Sequence, residues 1–167
     1  IEQRSAGANP RSTVATTTEI YDYLRLLYAR VGEVHCPKCR KPISSQTPEQ
    51  IVDQVMSYPP GSKVMILAPL VRGRKGEYRD LFRKVQSEGF VRVRVNGEVY
   101  DVKDVPKLEK YKKHDIDAVV DRLVLKNEIR SRLSDSLQIA LKRSEGIVTL
   151  SCETPQGWKD TLSSELY

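Results

Sequence analysis

The chain has 167 residues, of which 39% are hydrophobic and 30% are charged, and its formal net charge is +6. This balance is ordinary for a folded soluble domain, and no apolar run approaches the ~20 residues that a membrane span needs. No secretory signal opens the chain and its three cysteines are an odd number, so we expect a reducing cytoplasmic location and no disulfide framework.

The first predicted element is a helix in the string "TTTEIYDYLRLLYARVG". Thr16 and Glu19 have the spacing of a capping box, in which each side chain serves an unpaired backbone amide. Apolar residues then recur at helical spacing from Ile20 to Val31, and Gly32 is a natural stop.

A second helix is predicted in "TPEQIVDQV". Thr47 is its expected cap, Pro48 suits the first turn, and Gln50 completes a capping box. Pro59 and Pro60 should end this helix, because proline cannot donate the backbone hydrogen bond that a helix interior needs.

The middle of the chain predicts a strand, a loop and a helix. Residues 63–71 ("KVMILAPLV") read as a buried strand, and residues 72–76 ("RGRKG") as a basic loop bounded by glycine. A helix follows, with Tyr78 and Val85 on its apolar face and Gly89 as its stop.

A hairpin is predicted in residues 90–102 ("FVRVRVNGEVYDV"). Asn96 and Gly97 form the favoured two-residue turn between alternating strands. That register places Arg92 opposite Asp101.

The last third of the chain predicts strand, helix and strand. Residues 115–125 read as a strand, Asn127 can cap a helix that Gly146 closes, and residues 147–152 ("IVTLSC") read as another strand. Residues 153–167 show no pattern, and we expect them to be loose.

These elements predict an α+β fold. A helical and looped N-terminal segment with half a zinc knuckle would precede a mainly antiparallel sheet. Two amphipathic helices would cover one face of that sheet, in an arrangement like a split βαβ unit.

The most specific chemical signal is the string "HCPKC". Cys36 and Cys39 match half of a tetrahedral zinc site, whereas a redox pair would stand at a helix N-terminus. His35 is adjacent to the pair and Cys152 is far away in sequence, so neither completes the site comfortably. We therefore favour metal over redox chemistry, and we interpret the motif as half of a site whose other pair lies outside the chain.

Two basic strings raise a second hypothesis. Charge runs are usually solvated, but these could contact a DNA backbone or an acidic partner. Their cationic residues are Arg72, Arg74, Lys75, Lys110, Lys112 and Lys113. Because no catalytic triad, carboxylate pair or phosphate-binding loop is present, we expect no enzyme activity from the chain itself.

Several long strings together carry a family resemblance. They are "NPRSTVATTTEIYDYLRLLYARVG", "HCPKC", "ILAPLVRGRKGE", "GFVRVRVNGE", "KKHDIDAVVDRLVL" and "RLSDSLQIAL". In this order they resemble bacterial UvrA, the damage-sensing subunit family of the excinuclease in nucleotide excision repair. Ala15 departs from the family, which commonly has glycine in "STVGT".

The resemblance implies a fragment of a dimeric, zinc-containing, DNA-binding ATPase of the ATP-binding-cassette type. Residues 1–46 would belong to its first signature domain, with Gln3 near the family's Q-loop. Residues 47–155 would form the domain that binds UvrB, and residues 156–167 would return to the signature domain. Further CxxC pairs follow in the family, which fits a zinc half-site at Cys36 and Cys39. ATP and magnesium would be bound by the parent protein and not by this fragment.

The resemblance also favours arginines on the predicted strands as contacts for UvrB. Guanidinium groups on rigid strands lose little entropy on docking and can grip carboxylates in a bidentate manner. The expected partner-binding residues are Arg92, Arg94, Asp121 and Arg122. The alternative is a basic module that contacts the DNA backbone.

Overall fold

The structure, a computed structural model, describes residues 13–33, 35, 45–155 and 157–164. The chain divides into two compact units, Ile1–Ser44 and Ser45–Tyr167. Within the described part, no helix is both long and apolar enough to cross a membrane.

The described residues of the first unit form two helices, α1 (Val14–Thr17) and α2 (Ile20–Val31). The predicted end of α2 at Gly32 is confirmed, but the helix begins at Ile20, later than predicted, and the predicted capping box is wrong. Thr13 and Thr16 form the capping box, and it opens α1. Glu19, at the N-cap of α2, has a left-handed backbone with a φ of 62° and no capping hydrogen bond from its side chain. A second threonine one turn earlier thus competes successfully for the backbone amides.

Residues 45–155 and 157–164 of the second unit form three α-helices and six strands. In chain order these are α3 (Pro48–Met56), β1 (Lys63–Lys75), α4 (Arg79–Ser87), β2 (Arg92–Val95), β3 (Glu98–Asp101), β4 (Lys113–Val124), α5 (Arg130–Arg143), β5 (Ile147–Thr154) and β6 (Gly157–Ser164). A short 3-10 turn, Asn127–Ile129, leads into α5.

Local sequence signals explain the elements that match their predictions. The capping box at the start of α3 is confirmed, since the Thr47 hydroxyl accepts from the Gln50 amide and the Gln50 side chain accepts from the Thr47 amide. The predicted hairpin is also confirmed, with Arg92 opposite Asp101. Its turn has positive φ at Asn96 and at the glycine that follows, as a tight hairpin turn requires.

Strand β1 is longer than predicted, because it runs through residues 72–75 that the sequence suggested were a loop. The pairing with β4 shifts register between Val71 and Arg74, and Gly73 there has a φ of 58°. Glycine thus marks an irregularity inside a strand here, not the end of one.

Strand β6 was not predicted, since its residues were expected to be loose. It pairs with β5 along its whole length, from Thr154 opposite Gly157 to Ile147 opposite Ser164. Gly157 has a φ of 111°, and the Thr154 hydroxyl donates to its carbonyl at 2.6 Å. This tight connection returns the chain along the edge of the sheet.

The six strands form one sheet in the order β3-β2-β4-β1-β5-β6, and every neighbouring pair is antiparallel. Strands β1 and β2, joined through α4, therefore run parallel with β4 between them. Strands β4 and β5, joined through α5, likewise flank β1. The architecture is α+β, as predicted.

The main core lies between the helices and one face of this sheet. Helix α5 contacts β1, β4, β5 and α3. Completely buried apolar residues fill the layer, among them Ile51, Ile66, Val93, Ile116, Leu133, Leu137 and Leu150. The opposite face of the sheet carries polar and charged side chains together with a small buried apolar cluster of Met65, Leu67 and Val119.

Candidate partner-binding face of the sheet

The strand register defines a second face, which we call the open face. Residues directly opposite each other in an antiparallel ladder point to the same side. Met65 is opposite both Arg122 on β4 and Ser151 on β5. Ser151 is in turn opposite Asp160 on β6, and Arg94 on β2 is opposite Asp117 on β4. These residues alternate with those of the covered face, so all of them lie on the open face.

Arg94 is buried in the open face and is paired twice. Its Nε and Nη2 atoms lie 2.9 and 2.8 Å from Asp117 Oδ2, and its Nη1 atom lies 2.7 Å from Asp160 Oδ2. Only 7% of the residue is exposed. The structure therefore places this predicted UvrB contact inside the molecule, where both of its partners belong to the same chain.

The same contacts show that the sheet is strongly coiled. Strands β2 and β6 are four positions apart in the strand order, which is about 19 Å in a flat sheet at ~4.8 Å per strand. The arginine on β2 nevertheless reaches the carboxylate on β6. The open face must therefore be concave between these strands.

Further contacts extend this network to Arg72 and Thr149, although Asp117 Oδ1 has no hydrogen-bond partner among the described residues. The Arg72 guanidinium donates to the Thr149 hydroxyl at 2.6 Å and lies 3.4 Å from Asp117. The Ser151 hydroxyl donates to Asp160 at 2.6 Å. Burial raises the pKa of Asp117, against the opposing effect of Arg72 and the other arginine of the network. Arg72 is thus partly committed to internal contacts.

Arg92 and Arg122 remain available on the open face. Arg92 pairs with Asp101 at 3.3 Å, and both side chains are about half exposed. The side chain of Arg122 is exposed and makes no ion pair or hydrogen bond within the part of the chain that the structure describes. Both arginines line a depression of about 310 Å³ together with Trp158 of β6.

Asp121 points away from this depression. Between Ile66 and the next residue of β1 the register shifts, so Asp121 stands opposite Ile66 on the covered face. It accepts hydrogen bonds from Arg132 Nε at 2.9 Å, from Arg132 Nη2 at 2.8 Å and from the Ser136 hydroxyl at 2.9 Å. Burial opposes its ionisation, but these hydrogen bonds and that of the Arg122 amide hold its pKa below the usual value. The predicted neighbours Asp121 and Arg122 therefore face opposite sides.

Trp158 is the site residue that the sequence did not predict. Trp158 is 45% exposed and lies on the edge strand β6, opposite Glu153 of β5. The available signal was the alternation in "GWKDTL" after a glycine turn, which is weak because Trp158, Asp160 and Leu162 differ widely in polarity.

The two basic strings meet at one end of the β1–β4 ladder. Arg74 stands opposite His114, and Lys75 stands opposite Lys113. Lys112 pairs with Glu109 at 2.6 Å. We call Arg74, Lys75 and Lys113 the basic end; among the described residues, neither these three nor Lys110 forms an ion pair.

The predicted zinc and nucleotide residues are not among those that the structure describes. Cys36, Cys39 and Gln3 fall outside the described residues, so their roles stay predictions. Cys152 is buried, and burial raises the pKa of its thiol. Within the described ranges, no group of three or more His, Cys, Asp or Glu residues is suited to hold a metal ion.

Comparison with known proteins places this geometry in a family. A sequence model described as the UvrA interaction domain matches residues 46–154. The chain belongs to the UvrA family. It is 54% identical over 166 residues to UvrABC system protein A of Clostridium perfringens, and 48% identical over 169 residues to that of Thermus thermophilus. The Mycobacterium tuberculosis protein is 55% identical over 150 residues.

These alignments cover most of the chain but little of the relatives. They include 99% of the chain and 17% of the Clostridium perfringens protein, and 100% and 17% in the case of Thermus thermophilus. For Mycobacterium tuberculosis the figures are 90% and 15%. The matched family domain contains the whole of the covered core and the open face as far as β5.

Proposed function

We propose that this chain is the part of UvrA that binds UvrB during nucleotide excision repair. The observation that carries the proposal is that Arg122 is exposed and unpaired among the described residues. Its exposed guanidinium lacks an ion partner in the described part of the chain, although it projects from a rigid strand beside a concave face. The matching family is described as an interaction domain, which supports a binding role for this region.

Arg92 and Arg122 are the proposed contacts for carboxylates of UvrB. A guanidinium on a strand is already oriented, so it loses little entropy when it forms a bidentate ion pair. The Arg92–Asp101 pair is exposed and contributes only ~0.2–1 kcal/mol, so a partner can compete for this arginine. Arg94 and Asp121 are engaged within the domain, and we assign them to its stability.

The remaining properties of UvrA are proposed for the parent protein. We propose that ATP and magnesium are bound there, and that zinc binds there through Cys36, Cys39 and further thiolates. Dimerisation and damage recognition would likewise belong to the parent. The chain itself would recruit UvrB without hydrolysing ATP.

The test of this proposal is capture of purified UvrB by the immobilised chain. Binding that weakens with salt is expected, because exposed arginines attract carboxylates through a screened interaction. No capture at low ionic strength would contradict the proposed function. Bovine serum albumin, an acidic protein, is the control for non-specific charge attraction.

A second candidate function is contact with the DNA backbone through the basic end. It is favoured by the register that brings Lys75 and Lys113 together from distant parts of the sequence. For a 30-base-pair duplex, the logarithm of the binding constant should then fall linearly as the logarithm of the salt concentration rises. A Lys75→Glu and Lys113→Glu double variant should reduce the steepness of that dependence. Capture of UvrB by the same variant should be unchanged if the two surfaces are separate.

A further inference from the structure

The depression on the open face contains a large aromatic side chain for which the fold has no evident use. Trp158 is 45% exposed and belongs to neither of the two buried apolar clusters. It lies on β6, an edge strand of the sheet. Its position beside two arginines therefore calls for an explanation outside the folding of the domain.

We propose that Trp158 is the apolar anchor of the UvrB contact, an inference that rests on the proposed function above. The depression would accept an acidic segment of UvrB, with its carboxylates on Arg92 and Arg122. An apolar side chain next to those carboxylates would pack on the indole. Trp158 would then determine which acidic segments are bound, beyond the attraction of charge alone.

The lining of the depression supports this choice of occupant. Four strands contribute to it, through Lys63, Met65, Arg92, Arg122, Val124 and Trp158. Lys63 pairs with Glu153 at 3.0 Å and Arg92 pairs with Asp101 at 3.3 Å, both as exposed pairs, whereas Arg122 has no ion partner among the described residues. Positive charge beside exposed apolar surface matches a segment that is both acidic and apolar.

Tryptophan and arginine are also the residues on which binding energy concentrates in interfaces. Truncating such residues commonly has a large effect, because each combines a broad apolar area with a directional polar group. The depression places one tryptophan and two arginines around a single volume.

The buried network holds this arrangement in place before a partner arrives. Asp160 lies two residues after Trp158 on the same face of β6, and it is bound by Arg94 of β2 and by the Ser151 hydroxyl. These contacts tie the edge strand across the concave face. Trp158 is therefore positioned close to Arg92 without the cost of ordering a loop.

The test uses the fact that Trp158 is the only tryptophan of the chain. The chain is labelled with 5-fluorotryptophan, and its single fluorine resonance is followed by NMR as unlabelled UvrB is added. The resonance is expected to shift or broaden in a saturable manner. This readout uses the unaltered sequence, so it does not depend on the folding of any variant.

Affinity measurements with matched variants complete the test. Trp158→Ala should weaken UvrB binding at least tenfold, while Leu162→Ala should change it less than twofold. Leu162 is the matched control because it is exposed on the same face of the same strand and does not line the depression. A circular-dichroism melt of each variant verifies folding.

The possible failures are distinguishable. If UvrB binds and Arg122→Glu weakens it, but the fluorine resonance is unmoved and Trp158→Ala binds within twofold of the unaltered chain, then the anchor is refuted and the proposed function stands. If UvrB does not bind the chain, both are refuted. A polyglutamate peptide that shifts the resonance as strongly as UvrB at equal concentration would refute the requirement for an apolar side chain.

Discussion

The two faces of the sheet are built from the same strands, but among the described residues only the open face combines buried apolar residues with a buried ionic network. On β4, Ile116 and Ala118 face the helices and are completely buried. Asp117, between them, is almost equally buried but faces the other side, where two arginines surround it. Alternation along a strand thus places an apolar core and a buried ionic network one residue apart.

The difference shows how charge on a sheet can be divided between stability and binding. Buried charges on the open face have partners within the chain, as Arg94 has in Asp117 and Asp160. Charges that reach solvent can lack one, as Arg122 does among the described residues. An exposed charge without an internal partner lowers the free energy of unfolding little, because water still solvates it. Such a charge can bind an external ligand. The unpaired exposed cation is therefore the better candidate for function.

The largest expected effect comes from breaking the ionic network on the open face. Arg94→Met leaves Asp117 buried without its closest cation, and the free energy of unfolding should fall by on the order of 3–5 kcal/mol. Urea denaturation measures this change. The double variant Arg94→Met with Asp117→Leu should recover much of the loss, since it removes the stranded charge. No recovery would contradict the account of this network.

A somewhat smaller loss is expected on the covered face. Leu137→Ala removes a completely buried side chain of α5 and should lower the free energy of unfolding by roughly 2–5 kcal/mol. Leu24→Ala is the matched control, because the same atoms are removed from α2, where that residue is 40% exposed. Its effect should stay within about 0.5 kcal/mol. Equal losses in the two variants would show that the covered face does not carry the core.

The smallest predicted effect concerns acid stability and Asp121. Its pKa in the folded chain lies below its ordinary value of 3.8, so it contributes stability above that value. This contribution is lost as the pH falls through the lower folded pKa, because the folded state must then take up a proton that the unfolded state binds more readily. Asp121→Asn should therefore show a shallower loss of stability below about pH 4 than the unaltered chain. Thermal melts between pH 2 and pH 6 compare the two.

Local signals made part of this fold predictable from sequence. The capping box at Thr47 and the Asn96–Gly97 turn each fix their element within a few residues, and both predictions are confirmed. Strand β6 and the extension of β1 were missed because pairing with a neighbouring strand defines them. Such pairing is non-local, and the short glycine-containing segments concerned do not encode it by themselves.

Periodicity predicted helices without showing what covers them. Helices α2 and α5 both carry apolar residues at helical spacing, yet no residue of α2 is buried whereas Leu133 and Leu137 of α5 are completely buried. The spacing specifies an apolar face, and burial depends on whether another element packs against it. The sequence therefore predicts the apolar face of a helix more reliably than it predicts which element packs against that face.

The candidate site was predictable only in part. The alternation in β2 indicated that Arg92 and Arg94 share a face, and the register agrees. It could not indicate that one is buried in an ion network while the other stays near solvent. Nor could it indicate that coiling of the sheet brings Trp158 of β6 towards β2, because this depends on the twist accumulated over all the strands between.

The measurement that tests the central claim most directly is a calorimetric titration of UvrB into the chain and its Arg122→Glu variant. The substitution places a carboxylate where carboxylates of UvrB are expected, so binding should weaken by on the order of 2–5 kcal/mol. Arg83→Glu makes the same charge change on an exposed residue of α4 and should leave the affinity unchanged. If both variants remain folded and Arg122→Glu binds UvrB as tightly as the unaltered chain, the proposed partner-binding face is wrong.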